Sequence, residues 1–119
     1  MKPTLVIGAS SNQNRYSYKA IISLTKHNHE VYALGINKGN IEDTPIHTEK
    51  PTNKKFHTVT MYINPEIQDE FYDFVLNLNP HRVIFNPGTE NDEFANLLQS
   101  KNIEVEYNCT LVMLATNQY

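Results

Sequence analysis

A single cysteine, Cys109, is all the chain has among its 119 residues. That excludes an intrachain disulfide and a zinc site built from several cysteines. Long hydrophobic runs are missing as well; no stretch approaches the ~20 apolar residues that cross a bilayer. The start, Met1-Lys2-Pro3-Thr4-Leu5, leads straight into a strand pattern with no secretion-signal core. The cytoplasm is therefore the expected compartment, and no membrane partner is expected. Positive charge is not in excess: Lys+Arg 10 against Asp+Glu 13 gives −3. Nucleic-acid binding draws most of its affinity from a basic surface, so no nucleic-acid partner is expected. His27, His29, His47, His57 and His81 show no metal-ligand spacing. No nucleophile–base pair stands out. The length suits one domain over residues 1–119 and is too short for a nucleotide domain plus a separate catalytic one. Assembly with further copies of the chain stays open.

What is present is organised around Thr4-Leu5-Val6-Ile7-Gly8-Ala9-Ser10-Ser11-Asn12-Gln13-Asn14-Arg15-Tyr16-Ser17-Tyr18. An apolar run stops at a glycine, small polar residues follow, and an amphipathic segment begins. This reads as buried strand, tight turn and helix start. Unpaired amides at a helix start attract phosphate, and Arg15 adds a fork that matches phosphate oxygens. A plain first βα turn reads equally well from these residues alone. With one glycine in the turn, the dinucleotide pattern G-x-G-x-x-G is absent, and so is the Walker pattern.

The rest alternates. Tyr18, Ile21, Ile22 and Leu24 have helical spacing. A second strand is predicted over Glu30–Ile36, a surface connection over Ile41–Lys55, and a third strand over Phe56–Ile63. Asn64-Pro65-Glu66 opens a helix that Asn79-Pro80 ends. Arg82–Asn86 is the fourth strand. Thr89 and Asp92 resemble a capping box before a short helix. Ile103, Val105 and Tyr107 mark a fifth strand, and Leu111–Ala115 a last short helix. The alternation predicts a single doubly wound, Rossmann-like α/β domain with a five-stranded parallel sheet in the order 3-2-1-4-5. Ligands of such sheets bind above the carboxyl ends of the strands. That nominates Gly8, Ala9 and Ser10; Asn37 and Lys38; Tyr62; Asn86, Pro87 and Gly88; and Cys109. Asn64 and Thr89 read as turn or cap residues. No acid follows the second strand, which disfavours NAD; a lysine there suits an extra phosphate on the adenosine ribose, as in NADP or coenzyme A. The bland alternatives are a solvated Lys38 and a Cys109 that fills space.

Val6-Ile7-Gly8-Ala9-Ser10, a polar gap and Arg15-Tyr16-Ser17 resemble the opening of the small CoA-binding domain family, which shares its fold with the CoA-binding domain of the succinyl-CoA synthetase alpha subunit. The order of elements extends the resemblance from about Thr4 to about Leu114. It implies a stand-alone module that binds CoA or acyl-CoA. The Gly8–Ser10 amides and Arg15 would hold phosphate and Lys38 the ribose phosphate, with Tyr16 a binding residue at the helix start. Tyr62 would flank adenine or pantetheine, Asn86, Pro87 and Gly88 would line the cleft, and Cys109 would lie in a turn near the pantetheine arm. In place of the family's V-N-P-K-like stretch this chain has Gly35-Ile36-Asn37-Lys38, without the proline. The rival readings are a small NADP-dependent or acyl-transfer enzyme and a structural or regulatory subunit.

Overall fold

A computed structural model describes all 119 residues. In chain order the elements are β1 (Thr4–Ile7), α1 (Tyr16–Lys26), β2 (Val31–Leu34), β3 (Gly39–Ile41), β4 (Thr44–His47), β5 (Thr58–Met61), a 3-10 helix (Pro65–Phe71), α2 (Tyr72–Leu78), β6 (Arg82–Phe85), α3 (Asp92–Ser100), β7 (Glu104–Tyr107) and α4 (Thr110–Ala115). No helix is long and apolar enough to cross a membrane.

The sheet has seven strands in the order β3-β4-β2-β1-β5-β6-β7. All neighbours are parallel except the β3–β4 pair at one edge. Two expectations are corrected here. The strands number seven, not five, and the Phe56–Ile63 strand does not lie beside β2. It appears as β5 and pairs with the other side of β1, Thr4 opposite Thr58 and Ile7 opposite Met61. The place next to β2 is taken by β4, from the segment expected to be a surface connection. Numbered along the chain, the six parallel strands then run 3-2-1-4-5-6, the doubly wound order with its switch point between β1 and β5.

Side-chain alternation builds a core on each face of the sheet. Leu5 and Ile7 point one way, joining Val59, Met61, Val83, Phe85 and the α2 and α3 residues Val75, Phe94 and Leu98. Val6 points the other way, against Ala33, Ile46, Ile21 and Leu24 of α1, and Leu114 of α4. Full burial of each such side chain is worth about 1.5–3 kcal/mol over exposure. Val6, Ile7, Leu34, Val83, Ile84 and Phe85 are buried, and Val31 is half-buried.

The local signals hold in part. Asn64 caps its helix, its Oδ1 accepting from Glu66 N at 3.0 Å. The helix it opens is 3-10 as far as Phe71 and α beyond. Buried Gln68 draws in this first part, its Nε2 donating to the carbonyls of Ile63 at 3.0 Å and Thr89 at 2.8 Å. Asn79 closes α2 in the left-handed region, φ 49°, before Pro80. The Thr89–Asp92 capping box does not form. Asn91 caps α3 by accepting from Phe94 N at 3.0 Å, while the Thr89 hydroxyl donates to the Asn86 carbonyl at 2.8 Å.

Candidate functional site

The chain leaves β1 for α1 on one face of the sheet and leaves β5 for the 3-10 helix and α2 on the other. The divergence opens a cleft of about 1240 Å³ above the carboxyl ends of the strands. Its floor is reached from the ends of β1, β2, β4, β5, β6 and β7. At about 4.8 Å between strands, five spacings make a trough about 24 Å long.

The β1–α1 turn lies at its middle. Gly8 has φ +102°, and a Cβ there would stand 2.9 Å from the Tyr62 carbonyl carbon and 2.9 Å from Ile63 Cγ2. Glycine is thus required by the backbone's approach to the end of β5. The Gly8 and Ala9 amides are also engaged, both donating to the Leu34 carbonyl at 2.9 Å. Gly35 meets the turn from the other side, where a Cβ would run into the Ala9 carbonyl oxygen.

Beyond Ala9 the amides are different. Those of Ser10, Ser11, Tyr16 and Ser17 take no partner within the protein. The N-cap of α1 is Arg15, whose side chain makes no capping bond, and the first turn of α1 has no acid. Helix starts favour Ser, Thr, Asp or Asn, and negative charge. A cation in that place, over uncapped amides, is unfavourable unless an anion joins it.

The candidate residues divide as follows. Gly8, Ala9, Ser10, Arg15, Tyr16, Asn37, Tyr62, Asn86, Pro87 and Cys109 all line the cleft, whereas Lys38 and Gly88 do not. Lys38 sits exposed in the β2–β3 turn. Gly88 has φ +93°, with nothing within 4 Å of a Cβ built on it, so it serves the loop's conformation. Asn86 lines the cleft, yet its carboxamide is occupied by the protein. Nδ2 donates to Thr60 Oγ1 at 2.7 Å and to the Met61 carbonyl at 2.8 Å, and Oδ1 accepts from Thr110 N at 2.9 Å. It ties β6 to β5 and to the start of α4. The Tyr62 hydroxyl is buried without a hydrogen-bond partner. Burial pushes its pKa well above the usual phenol range; the Thr110 and Thr60 hydroxyls are near enough to offset part of this but form no well-directed bond with it. Cys109 is half-buried at the N-cap of α4, its backbone amide bonded to Asn108 Oδ1 at 2.8 Å.

The structure also brings in residues that the sequence reading passed over. Thr48 and Lys50 follow β4, Ile67, Glu70 and Phe71 come from the 3-10 helix, and Leu111 comes from α4. The Lys50 ammonium lies 5.1 Å from the Phe71 ring centre and 5.5 Å from that of Phe74, and donates to the Glu70 carbonyl at 3.3 Å. The signal available was β4 itself: residues after a parallel strand stand at the sheet's carboxyl edge. No three His, Cys, Asp or Glu side chains gather as metal ligands.

The geometry agrees with comparisons to known proteins. The crystal structure of an uncharacterized protein is 44% identical, with a TM-score of 0.96, covering 100% of this chain and 98% of that one. Two further structures share the fold at 16% identity. One is the cell-free ID.343 protein of Thermus thermophilus, at TM-score 0.86, covering 99% of this chain and 91% of that one. The other is a hypothetical protein from Pyrococcus horikoshii OT3, at TM-score 0.87, covering 98% and 83%. Among curated proteins none matches. The sequence model of the CoA binding domain matches residues 2–115, almost the whole chain. With that match and the cleft at its switch point, the chain belongs to the CoA binding domain family.

Proposed function

We propose that this protein binds coenzyme A or an acyl-CoA along the trough, as a recognition module. The observation that carries the reading is the start of α1, where Arg15 at the N-cap lines the cleft together with Ser10, Ser11, Tyr16 and Ser17, whose amides take no partner within the protein. A pyrophosphate is the anion that suits it. Two adjacent phosphates meet the amides, the positive end of the helix dipole and the guanidinium at once. In a doubly wound sheet the adenosine lies on the β2 side of this turn. There Gly35, Ile36 and Asn37 offer no acid for a pair of ribose hydroxyls, which favours a ribose that carries a phosphate. The pantetheine arm then runs the other way, past Tyr62 and Pro87 towards Cys109 and Leu111. The trough's length of about 24 Å suits a ligand longer than a mononucleotide. Recognition rather than reaction is inferred because the Cys109 thiol takes part in none of the hydrogen bonds around it.

Native mass spectrometry of the freshly purified protein tests this. The expected result is a retained mass of CoA or acyl-CoA, or stoichiometric uptake of added CoA. Retention of NADP or FMN, or no uptake of CoA at millimolar concentration, refutes the reading.

A further inference from the structure

Lys50 is the cation of the cleft for which the pyrophosphate reading has no use. It follows β4, two strand positions from β1, or about 10 Å across the sheet from the phosphate turn. The Phe71 and Phe74 rings lie under its ammonium at 5.1 and 5.5 Å, and the Glu70 carbonyl accepts one of its protons at 3.3 Å. No carboxylate is paired with it; the ion pair in the structure is Arg82 with Glu106, at 3.3 Å. An ammonium has three donors. Here one is engaged, while aromatic faces and a carbonyl hold the group in place without neutralising its charge. Lys38, the lysine that sequence position favoured, is exposed and does not line the cleft.

We infer that Lys50 recognises a phosphate carried on the adenosine ribose, and so selects a ligand with that group over one without it. The inference rests on the proposed function for the direction of the ligand. Adenosine on the β2 side brings its ribose between the phosphate turn and the end of β4. A ribose with phosphate on its 5′ oxygen and again on its 3′ or 2′ oxygen presents the first to Arg15 and the second to Lys50. Coenzyme A carries the 3′ form and NADP the 2′ form. The shared chemistry is a ribose monophosphate dianion, and an exposed lysine meets it as a point charge that salt screens.

Calorimetry with two ligand pairs tests this: CoA against 3′-dephospho-CoA, and NADP against NAD. The proteins are wild type, Lys50→Met, Lys50→Arg and Lys38→Ala. Methionine keeps an unbranched apolar side chain beside Phe71 and Phe74 and removes the charge, together with the hydrogen bond to the Glu70 carbonyl. Wild type is expected to prefer CoA about three- to tenfold at low salt, with the preference shrinking as salt rises. Lys50→Met should bind both CoA forms as wild type binds the dephospho form. Lys50→Arg should recover the preference, and Lys38→Ala should retain it. A wild type that binds both forms equally, or a Lys50→Met variant that keeps the preference, overturns the inference and leaves CoA binding standing. If neither CoA form binds while NADP is preferred over NAD in a Lys50-dependent way, the CoA reading fails and the role of Lys50 survives.

Discussion

Truncation of Asn86 to alanine should cost the protein stability rather than ligand contacts. The side chain is 2% exposed and makes three hydrogen bonds, to Thr60 Oγ1, the Met61 carbonyl and Thr110 N. Alanine removes all three. Thr60 Oγ1 keeps its 2.8 Å bond to Thr110 Oγ1, but the Thr110 amide and the Met61 carbonyl lose a partner in a buried place. A net hydrogen bond is worth about 0.5–1.5 kcal/mol, and an orphaned buried group costs about 1–3 kcal/mol. The expected loss is therefore about 3–5 kcal/mol, a large part of the ~5–15 kcal/mol that holds a domain together. Urea unfolding with linear extrapolation measures it. CoA titrated into the folded fraction should bind within about threefold of wild type. A stability loss under about 1 kcal/mol, with affinity falling tenfold or more, would refute the reasoning and return Asn86 to the ligand.

Gly8→Ala should destabilise by more than the ~1–3 kcal/mol of left-handed strain alone, because its Cβ also meets the end of β5 at 2.9 Å; Gly88→Ala, with φ +93° and open space around it, should cost the conformational share only. Chemical denaturation of the pair separates the two effects, and equal costs would contradict them. Burial, with the positive charge of Arg82 beside it, holds His57 below its ordinary value of 6.5, so on acidification the unfolded chain takes up the proton first. Stability from this source is full above about pH 6.5 and falls as pH drops towards the lowered folded value. Between about pH 7 and pH 5.5, His57→Gln should then lose less in melting temperature than wild type, and an equal loss would count against the assignment. Cys109→Ser should keep CoA affinity within about threefold, under about 0.7 kcal/mol; a tenfold loss in a folded variant would show the thiol at the ligand.

The strands that face helices on both sides were legible because their apolar runs carry no alternative reading. The β3–β4 hairpin was not. Its turn, Glu42-Asp43, has no glycine although Glu42 adopts φ 53°, and Pro45 argues against a strand. The structure accommodates Pro45 because it pairs only with Asn40 of the edge strand, outside the β4–β2 ladder of Ala33 with Ile46 and Leu34 with His47. What marked the hairpin were Ile41 and Ile46, both buried, in an otherwise polar stretch. Missing it misplaced β5 and hid Lys50, since a cation on an unassigned connection has no position. The turn between β1 and α1 was legible in outline from Gly8 to Arg15. Which of its amides stay unpartnered was not, because that depends on the Leu34 carbonyl, from a strand more than twenty residues away, taking the first two. Asn86 lines the cleft, yet its partners come from β5 and α4, and only the folded sheet brings those together.

The start of α1 is where the account stands or falls, and calorimetric titration of CoA into wild type and Arg15→Ala measures it directly. Arg15 lines the cleft at an N-cap without a side-chain capping bond. A charge-assisted contact is worth about 1.5–3 kcal/mol, so the variant should bind CoA one to two powers of ten more weakly. Its melting temperature without ligand should be unchanged or slightly raised, since a cation leaves the positive end of a helix. Unaltered affinity in Arg15→Ala, or no binding of CoA by wild type at millimolar concentration, would contradict the account.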